Sequence, residues 1–451
     1  MGQFSDTIAA LATPTGTSAL AVLRISGSDT ARLAAALVGA PPPPRQATRT
    51  DYRDRSGQLV DDVLVTYFRA PASYTGEDVL EISCHGNPFI AQRILEDLLA
   101  CGCRAAQPGE FTQRAFVNGR LDLSQAEAVM DLIHARSERA LTAANQQLRG
   151  SLGKYLGELT EGLLGVLARV EAYIDFPDED LPPEDKQLIL SELARLGTGT
   201  QRLFATSHYG EVLREGLKTV IVGLPNSGKS LLLNRLLGKD RALVSAEPGT
   251  TRDYLEERII IGPHSLRLID TAGINPAPAP LEKQGMQKSL ERAQEADLIL
   301  WVFDAALPAP MFPVELRPLL SGPRTLMVAI MSDLRASGAI PPDYSSFEAV
   351  RVSALTGTGM DELQAAIVRR AEALSVEFGS EIIAINARHA DALVRAQAGF
   401  QSATNLLCAD EASELVASEL RSALAALGEI GGKIDSERVL DHLFATFCIG
   451  K

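Results

Sequence analysis

Eight consecutive residues, Gly223-Leu224-Pro225-Asn226-Ser227-Gly228-Lys229-Ser230, constrain this chain more than any other stretch. They satisfy the pattern GxxxxGK[ST] at every fixed position, and their flanks supply the strand and helix that the pattern needs. Lys218-Thr219-Val220-Ile221-Val222 runs before them, apolar and β-branched, as suits a buried parallel strand. Leu231 to Leu237 carries leucines at helical spacing, and Gly238 reads as the helix C-cap. Glycines at such a turn let successive main-chain N–H groups point at one anion, and the new helix adds its partly positive N-terminus. Gly223, Asn226, Ser227 and Gly228 would form that cradle. Lys229 would reach the β- and γ-phosphates of a nucleotide, and the Ser230 hydroxyl would join the shell of a Mg²⁺ ion.

Residues 217–374 alternate strand and helix patterns, with strands expected near 218–222, 256–261, 265–270, 297–304, 324–330 and 348–352. That alternation implies a doubly wound, mainly parallel sheet with its ligand at the strand C-termini. Pro248-Gly249-Thr250-Thr251-Arg252-Asp253 is a polar loop in which Thr251 would complete the Mg²⁺ shell and touch the γ-phosphate. A later strand ends in Asp270-Thr271-Ala272-Gly273, where Asp270 would hold Mg²⁺ through its shell and the Gly273 N–H would sense the γ-phosphate. In this order behind a phosphate loop, the two loops indicate a GTPase. The base-reading elements are less regular. Ile330-Met331-Ser332-Asp333 stands where GTPases carry Asn-Lys-x-Asp; Asp333 can accept two hydrogen bonds from a guanine edge, while the Asn and Lys are absent. Ser353-Ala354-Leu355 resembles the Ser-Ala-Lys loop that contacts the guanine carbonyl. Guanine selectivity with weakened affinity is the expectation.

At 451 residues the chain exceeds one ordinary core, and about 150 residues per domain suggests three. A net charge of −14 argues against a broad basic surface for nucleic acid, so any RNA would sit on a local patch or on a partner. Five cysteines suggest reduced thiols, no apolar run reaches the ~18 residues of a membrane span, and the N-terminus lacks a basic leader, so a cytoplasmic location is expected. Residues 1–119 read as α/β, with strands in Thr17–Ile25, Asp62–Phe68 and Val79–Cys84 and a helix over Phe89–Ala100. Residues 120–216 and 375–451 read as helical, with Ser124 and Glu127 as an N-terminal capping box. Together they describe a discontinuous helical bundle interrupted by the nucleotide domain. The acidic stretch 175–185 lacks the ligand spacing of a calcium loop and reads as a solvated connection.

Further motifs give the chain a resemblance over nearly its whole length. They are Tyr74-Thr75-Gly76-Glu77-Asp78, Glu81-Ile82-Ser83-Cys84-His85-Gly86, Pro108 to Phe116 with Asn118-Gly119, Asn386-Ala387-Arg388-His389, and the terminal Phe447-Cys448-Ile449-Gly450-Lys451. With them the chain resembles the MnmE (TrmE) family of tRNA-modification GTPases. The resemblance implies an N-terminal domain that dimerises and binds 5-formyl- or 5,10-methylene-tetrahydrofolate, with Arg24, Glu81, Arg120 and Lys451 at the folate positions. It implies an inserted Ras-like P-loop domain that uses K⁺ in place of an arginine finger, held near Asn226, Ser245, Glu247 and Thr250, with Glu282 orienting the attacking water. It also implies a heterotetramer with MnmG, which carries FAD and NADH, acting on the wobble uridine of certain tRNAs, with Cys448 functional in the modification. Arg120 replaces the commoner lysine, Asn275 stands where relatives tend to carry arginine, and Asn87 replaces the second glycine after Cys-His-Gly.

Cys84-His85 with Cys101-x-Cys103 invites a zinc reading, but paired C-x₂₋₄-C sets are missing and buried thiols fit better. The roles of Arg24, Arg120, Glu282 and Cys448 rest on the resemblance, whereas those of Lys229, Ser230, Thr251 and Asp270 stand on spacing and chemistry. Two functions follow: a modifying GTPase working with a flavoprotein, or a GTP-controlled assembly switch of the ribosome or ribonucleoprotein type without one-carbon chemistry.

Overall fold

The computed structural model describes residues 4–38, 42–175, 183–240, 256–270, 280–305, 312–330, 346–376, 378, 381–432, 444–445 and 447–450, with side chains 38, 183–184, 239–240, 270 and 280–285 outside that description. Contacts divide the chain into two units, one of residues 1–130, 152–160 and 424–451, the other of residues 131–151 and 161–423.

In the first unit, β1 (Ile8–Leu11), β2 (Leu20–Ser26), α1 (Thr30–Val38), β3 (Ala47–Arg53), β4 (Leu59–Phe68), β5 (Val79–His85), α2 (Pro88–Ala100), β6 (Arg104–Ala105), α3 (Glu110–Val117) and the start of α4 (Leu123–His134) follow in order. The sheet runs β3-β4-β5-β2-β1-β6, antiparallel except for the β1–β6 pair. Leu23, Ile25, Val63, Val65, Leu80 and Ile82 alternate onto one face and pack with α1 and α2 around Leu33, Ile94 and Leu98. Each such side chain contributes about 1.5–3 kcal/mol on burial. The three expected strands and the helix are present. β1, β3 and β6 were not expected; β3, ATRTDYR, is an edge strand that fully buries only Tyr52.

Two local details refine the sequence reading. Asn87 is the N-cap of α2, its side chain accepting from Phe89 N with Pro88 at the first helical position, which gives that glycine replacement a role. The capping box of α4 is formed by Asp122 and Gln125 rather than by Ser124 and Glu127. Asp122 Oδ1 accepts from Gln125 N at 2.8 Å, and Gln125 Oε1 accepts from Asp122 N at 2.9 Å. Aspartate caps as well as serine, and here it lies at the residue before the helix.

The motifs flanking β5 and α3 interlock. Arg114 has a fully buried side chain that pairs with Asp6, Glu77 and Glu110 at 2.7, 3.2 and 3.0 Å, and its guanidinium lies 4.5 Å from the Phe4 ring. Ser26 Oγ donates to Glu77 Oε2 at 2.7 Å, and Asn118 Nδ2 donates to Thr75 O at 2.8 Å. Burial alone would raise the Asp6 and Glu110 carboxyls, but the hydrogen bonds from Arg104 and Arg114 outweigh it and hold both below their ordinary values.

The remaining elements are α5 (Glu138–Leu148), α6 (Ser151–Asp175), α7 (Pro183–Phe204), α8 (Ser207–Glu215), β7 (Leu217–Gly223), α9 (Lys229–Asp240), β8 (Glu256–Ile261), β9 (His264–Asp270), α10 (Pro280–Glu295), β10 (Leu298–Asp304), β11 (Thr325–Ile330), β12 (Glu348–Arg351), α11 (Met360–Glu372), α12 (Ala387–Cys408) and α13 (Ser413–Gly431). The second sheet runs β12-β11-β10-β7-β9-β8, parallel apart from the β8–β9 hairpin, as the apolar runs predict. Apolar layers cover both faces, one around Leu232, Leu236, Leu363 and Ile367, the other around Trp301 and Leu316. Gly238 is not a cap: α9 continues to Asp240, and Gly238 keeps a helical φ. The leucine-rich face of α9 outweighs the ~1 kcal/mol that an interior glycine costs. The Asn386-Ala387-Arg388-His389 motif is the capping box of α12: Asn386 Oδ1 accepts from His389 N at 2.9 Å, and His389 Nδ1 accepts from Asn386 N at 3.4 Å.

Candidate functional site

β7 is the strand at which the second sheet changes direction. It pairs in parallel with β9 on one side and β10 on the other, so its C-terminal end opens a crevice between diverging connections. Gly223 ends β7 at that point, where a Cβ would stand 2.3 Å from Val302 O and 2.7 Å from Ser227 Oγ. Asn226 has φ 61° and Gly228 has φ 91°, so two left-handed residues curl the loop back toward the start of α9. A Cβ on Gly228 would stand 3.2 Å from Ile330 at the end of β11. The loop is therefore seated among the ends of β7, β10 and β11.

Lys229 is buried at the first position of α9, and its Nζ donates to Leu224 O at 2.8 Å and Gly223 O at 3.3 Å. The ammonium is parked on carbonyls of its own loop. Ser227 is also buried, yet its Oγ has no hydrogen-bond partner among the described residues. An orphaned donor beside a buried cation, in a loop too tight for added carbon, fits an anionic phosphate. Ser230 is exposed in the first turn of α9, and Asp270 ends β9 opposite Ile221 of β7. The backbone thus starts both expected Mg²⁺ residues from adjacent ends of the same crevice.

On the base side, β12 leads to Ser353, which is buried and ties its own turn: Oγ accepts from Thr356 N at 3.1 Å and its N–H donates to Thr358 O at 2.9 Å. Ala354 is half-buried and Leu355 is 82% exposed, so the leucine leaves its side chain to solvent. Ser245, Glu247, Thr250, Thr251, Thr271, Ala272, Gly273, Asn275 and Asp333 lie outside the described residues, as do the side chains of Asp270 and Glu282.

In the first unit the strand register itself places Arg24 of β2 opposite Glu81 of β5. Arg24 Nε and Nη2 both donate to Glu81 Oε1, at 3.0 and 2.8 Å. The guanidinium carbon lies 5.4 Å from the Tyr74 ring centroid and 5.8 Å from that of Phe111, a cation held against two aromatic faces. Tyr74 is fixed in turn by its OH against Thr112 Oγ1 at 2.8 Å. Arg24 Nη1 donates to Gly450 O at 3.2 Å, so the C-terminal residues reach the same spot. Lys451 lies outside the described residues. Arg120 is exposed beside Gly76, with no ion pair among the described residues. A partly exposed, aromatic-backed arginine and carboxylate suit a flat heterocycle bearing acidic groups. Tyr74, Phe111 and Thr112 are contributors that the sequence reading did not single out individually.

Cys448 is exposed, and its carbonyl accepts from Gly109 N at 3.3 Å. Cys84 and Cys103 are buried, and burial pushes the Cys103 thiol up to about 11. Among the described residues no cluster of metal-ligating side chains gathers, and His85 is instead held by Asp61 at 2.8 Å. No helix among them is long and apolar enough to cross a membrane.

Known proteins match at both ends of this arrangement. A family model described as the GTP-binding protein TrmE N-terminus matches residues 7–120, and one described as the MnmE helical domain matches residues 123–448. The chain is 57% identical over 452 residues to the tRNA modification GTPase MnmE of Opitutus terrae, covering 100% of both chains. It is 45% identical over 451 residues to the protein of the same name from Akkermansia muciniphila, covering 99% of each. With a phosphate loop at the sheet's switch point, an N-terminal α/β unit and long helices, the chain belongs to the MnmE family of tRNA modification GTPases.

Proposed function

We propose that the chain hydrolyses GTP at residues 223–230 and couples that hydrolysis, with the flavoprotein MnmG, to adding an aminomethyl-type group at C5 of the wobble uridine of certain tRNAs. The observation that carries the reading is the loaded but unsatisfied loop: Lys229 resting on carbonyls, Ser227 Oγ without a partner among the described residues, and a Gly223 with no room for a side chain. Lys229 and Ser227 exchange those arrangements for phosphate oxygens, and the main-chain N–H groups of the loop hold them from below. Asp333 reads guanine, with Ser353, Ala354 and Leu355 closing the base side.

Ser230, Thr251 and Asp270 would hold Mg²⁺, and Asn226, Ser245, Glu247 and Thr250 would hold K⁺. When bound, the two cations neutralise charge that develops between the phosphates. Glu282 orients the attacking water, and Thr271, Ala272 and Gly273 respond to the γ-phosphate. In the first unit Arg24, Glu81, Arg120 and Lys451 hold a formyl- or methylene-tetrahydrofolate, and Cys448 serves the modification. We assign residues 1–119 to the folate-binding, dimerising domain, 120–216 and 375–451 to the helical domain, and 217–374 to the nucleotide domain. The working form is a cytoplasmic homodimer that joins MnmG, with tRNA held mainly by that partner.

GTP turnover in potassium against sodium tests the hydrolytic reading, since faster turnover in potassium is expected and equal rates would remove the K⁺ site. The competing reading, an assembly switch without one-carbon chemistry, predicts no folate binding. Saturable binding of 5-formyl-tetrahydrofolate, lost in Arg24→Ala, favours the modifying enzyme.

A further inference from the structure

The phosphate loop and the base loop belong to different elements, yet one side chain joins them. α9 begins at Lys229 and is fastened to the core by Leu232, Leu233 and Leu236. Arg235 lies on the same helix, half-buried, and its Nη2 donates to Thr356 O at 3.4 Å. Its guanidinium covers Gly357, where a Cβ would stand 2.2 Å from Nη2, 3.2 Å from Cζ and 3.5 Å from Nε. Gly357 has φ 84°, so the loop turns beneath the guanidinium in a conformation that glycine permits. The rest of the loop ties itself. Ser353 O accepts from Gly357 N at 2.8 Å, Ser353 Oγ from Thr356 N at 3.1 Å, Thr356 Oγ1 from Thr358 N at 3.3 Å, and Thr358 O from Ser353 N at 2.9 Å. That closure leaves over the N–H groups of Ala354 and Leu355, which donate to no acceptor among the described residues. Two adjacent main-chain donors left open suit the oxygen of one ligand carbonyl.

We propose that Arg235 is a positioning residue for guanine: by tying Thr356 and Gly357 to the helix that begins with Lys229, it holds the open N–H groups of Ala354 and Leu355 where the base carbonyl arrives once the phosphates are seated. The inference deepens the GTP reading above and rests on it for the ligand. Arg235 acts through the loop and needs no contact with the nucleotide. Leu355 cannot provide the tie, since its side chain is 82% exposed. A lysine at 235 could donate to Thr356 O, but its ammonium cannot lie flat over Gly357, so the two residues are not interchangeable there.

Titrating the full-length chain with three nucleoside diphosphates reads the role. GDP presents the carbonyl, 6-thio-GDP puts sulfur, a weaker acceptor, in its place, and IDP keeps the carbonyl but lacks the 2-amino group on the edge assigned to Asp333. In the parent, the sulfur exchange is expected to weaken binding about tenfold, because the donors lose a good acceptor. In Arg235→Ala that penalty should shrink to about twofold, through GDP binding about fivefold more weakly while 6-thio-GDP binds as before. The ratio of GDP to IDP affinity should stay at the parent's value, and Arg235→Lys should fall between parent and alanine. Without nucleotide, amide exchange at Gly357, whose N–H is protected by Ser353 O, should speed roughly fivefold in Arg235→Ala as the loop opens locally. An undiminished sulfur penalty in Arg235→Ala, or equal weakening of all three diphosphates, would overturn the assignment. If the parent binds none of them, the GTP reading fails, and exchange at Gly357 decides the contact alone: faster exchange upholds the tie to the loop, and unchanged exchange removes it.

Discussion

Replacing Ser227 with alanine should move stability and nucleotide affinity in opposite directions. Its Oγ is buried and has no partner among the described residues, and a buried hydroxyl without a partner costs about 1–3 kcal/mol. Alanine removes that cost and leaves the loop backbone intact, so a net gain of about 1 kcal/mol is expected, or ~2–4 °C in the unfolding midpoint of a domain of about 150–250 residues. With nucleotide bound, the same hydroxyl donates to a charged phosphate oxygen, a bond worth about 1.5–3 kcal/mol. Its loss should weaken binding by roughly ten- to a hundredfold. Thermal unfolding with and without GDP, together with calorimetric titration, measures both arms. The ligand-free midpoint should rise and the GDP-induced shift should shrink. A lower ligand-free midpoint with unchanged affinity would refute the reasoning, because Ser227 would then be stabilising the loop and not waiting for phosphate.

Two other expectations concern charge and burial. His208 Nε2 lies 3.1 Å from Asp297 Oδ1, and that hydrogen bond raises the histidine above its ordinary 6.5 despite partial burial, with Glu211 adding to the effect and Lys218 opposing it. A raised folded value means the contribution is complete below about pH 6.5 and fades as pH rises through the folded value. The unfolding midpoint of the second unit should therefore fall modestly between about pH 6 and pH 8, and His208→Gln should remove that slope; a slope unchanged in the variant would acquit this pair. For the thiols, Cys408 and Cys448 are exposed while Cys84 and Cys103 are buried with raised values, so a disulfide reagent should label the first two quickly and the other pair only on unfolding. Early labelling of Cys84 or Cys103, located by peptide mapping, would contradict the buried-thiol reading.

The nucleotide half of the fold was legible because buried parallel strands are apolar without interruption. VIV before Gly223 and LILWVF before Asp304 leave little room for another assignment, and the observed β7 and β10 fall within a residue or so of expectation. β3 is hidden because an edge strand with one buried side chain carries no strong period, and β6 because it is two residues long. The box at α4 lies two residues before its expected place: Asp122-Leu-Ser-Gln and Ser124-Gln-Ala-Glu both satisfy a capping pattern, and only the backbone shows where the helix begins. Gly238 shows the converse, a turn-forming residue overridden by the packing of its helix. At the candidate sites, spacing reveals the phosphate loop because its partners are neighbours in sequence. Contacts such as Arg24 with Gly450 or Arg114 with Asp6 span 426 and 108 residues, and no local pattern encodes them. The sequence offers motifs there, and the structure gives several of them a physical role. Glu77 pairs with the buried Arg114, and Asn386 with His389 caps a helix.

The central claim is that main-chain amides and one ammonium grip a triphosphate at the end of β7. GTP turnover by Lys229→Ala, measured beside the parent chain under identical salt and with folding checked by circular dichroism, tests it most directly. The account predicts a loss of about a hundredfold or more, the scale on which removing a pre-placed charge partner slows such reactions. Turnover at the parent's rate by a folded variant would contradict it.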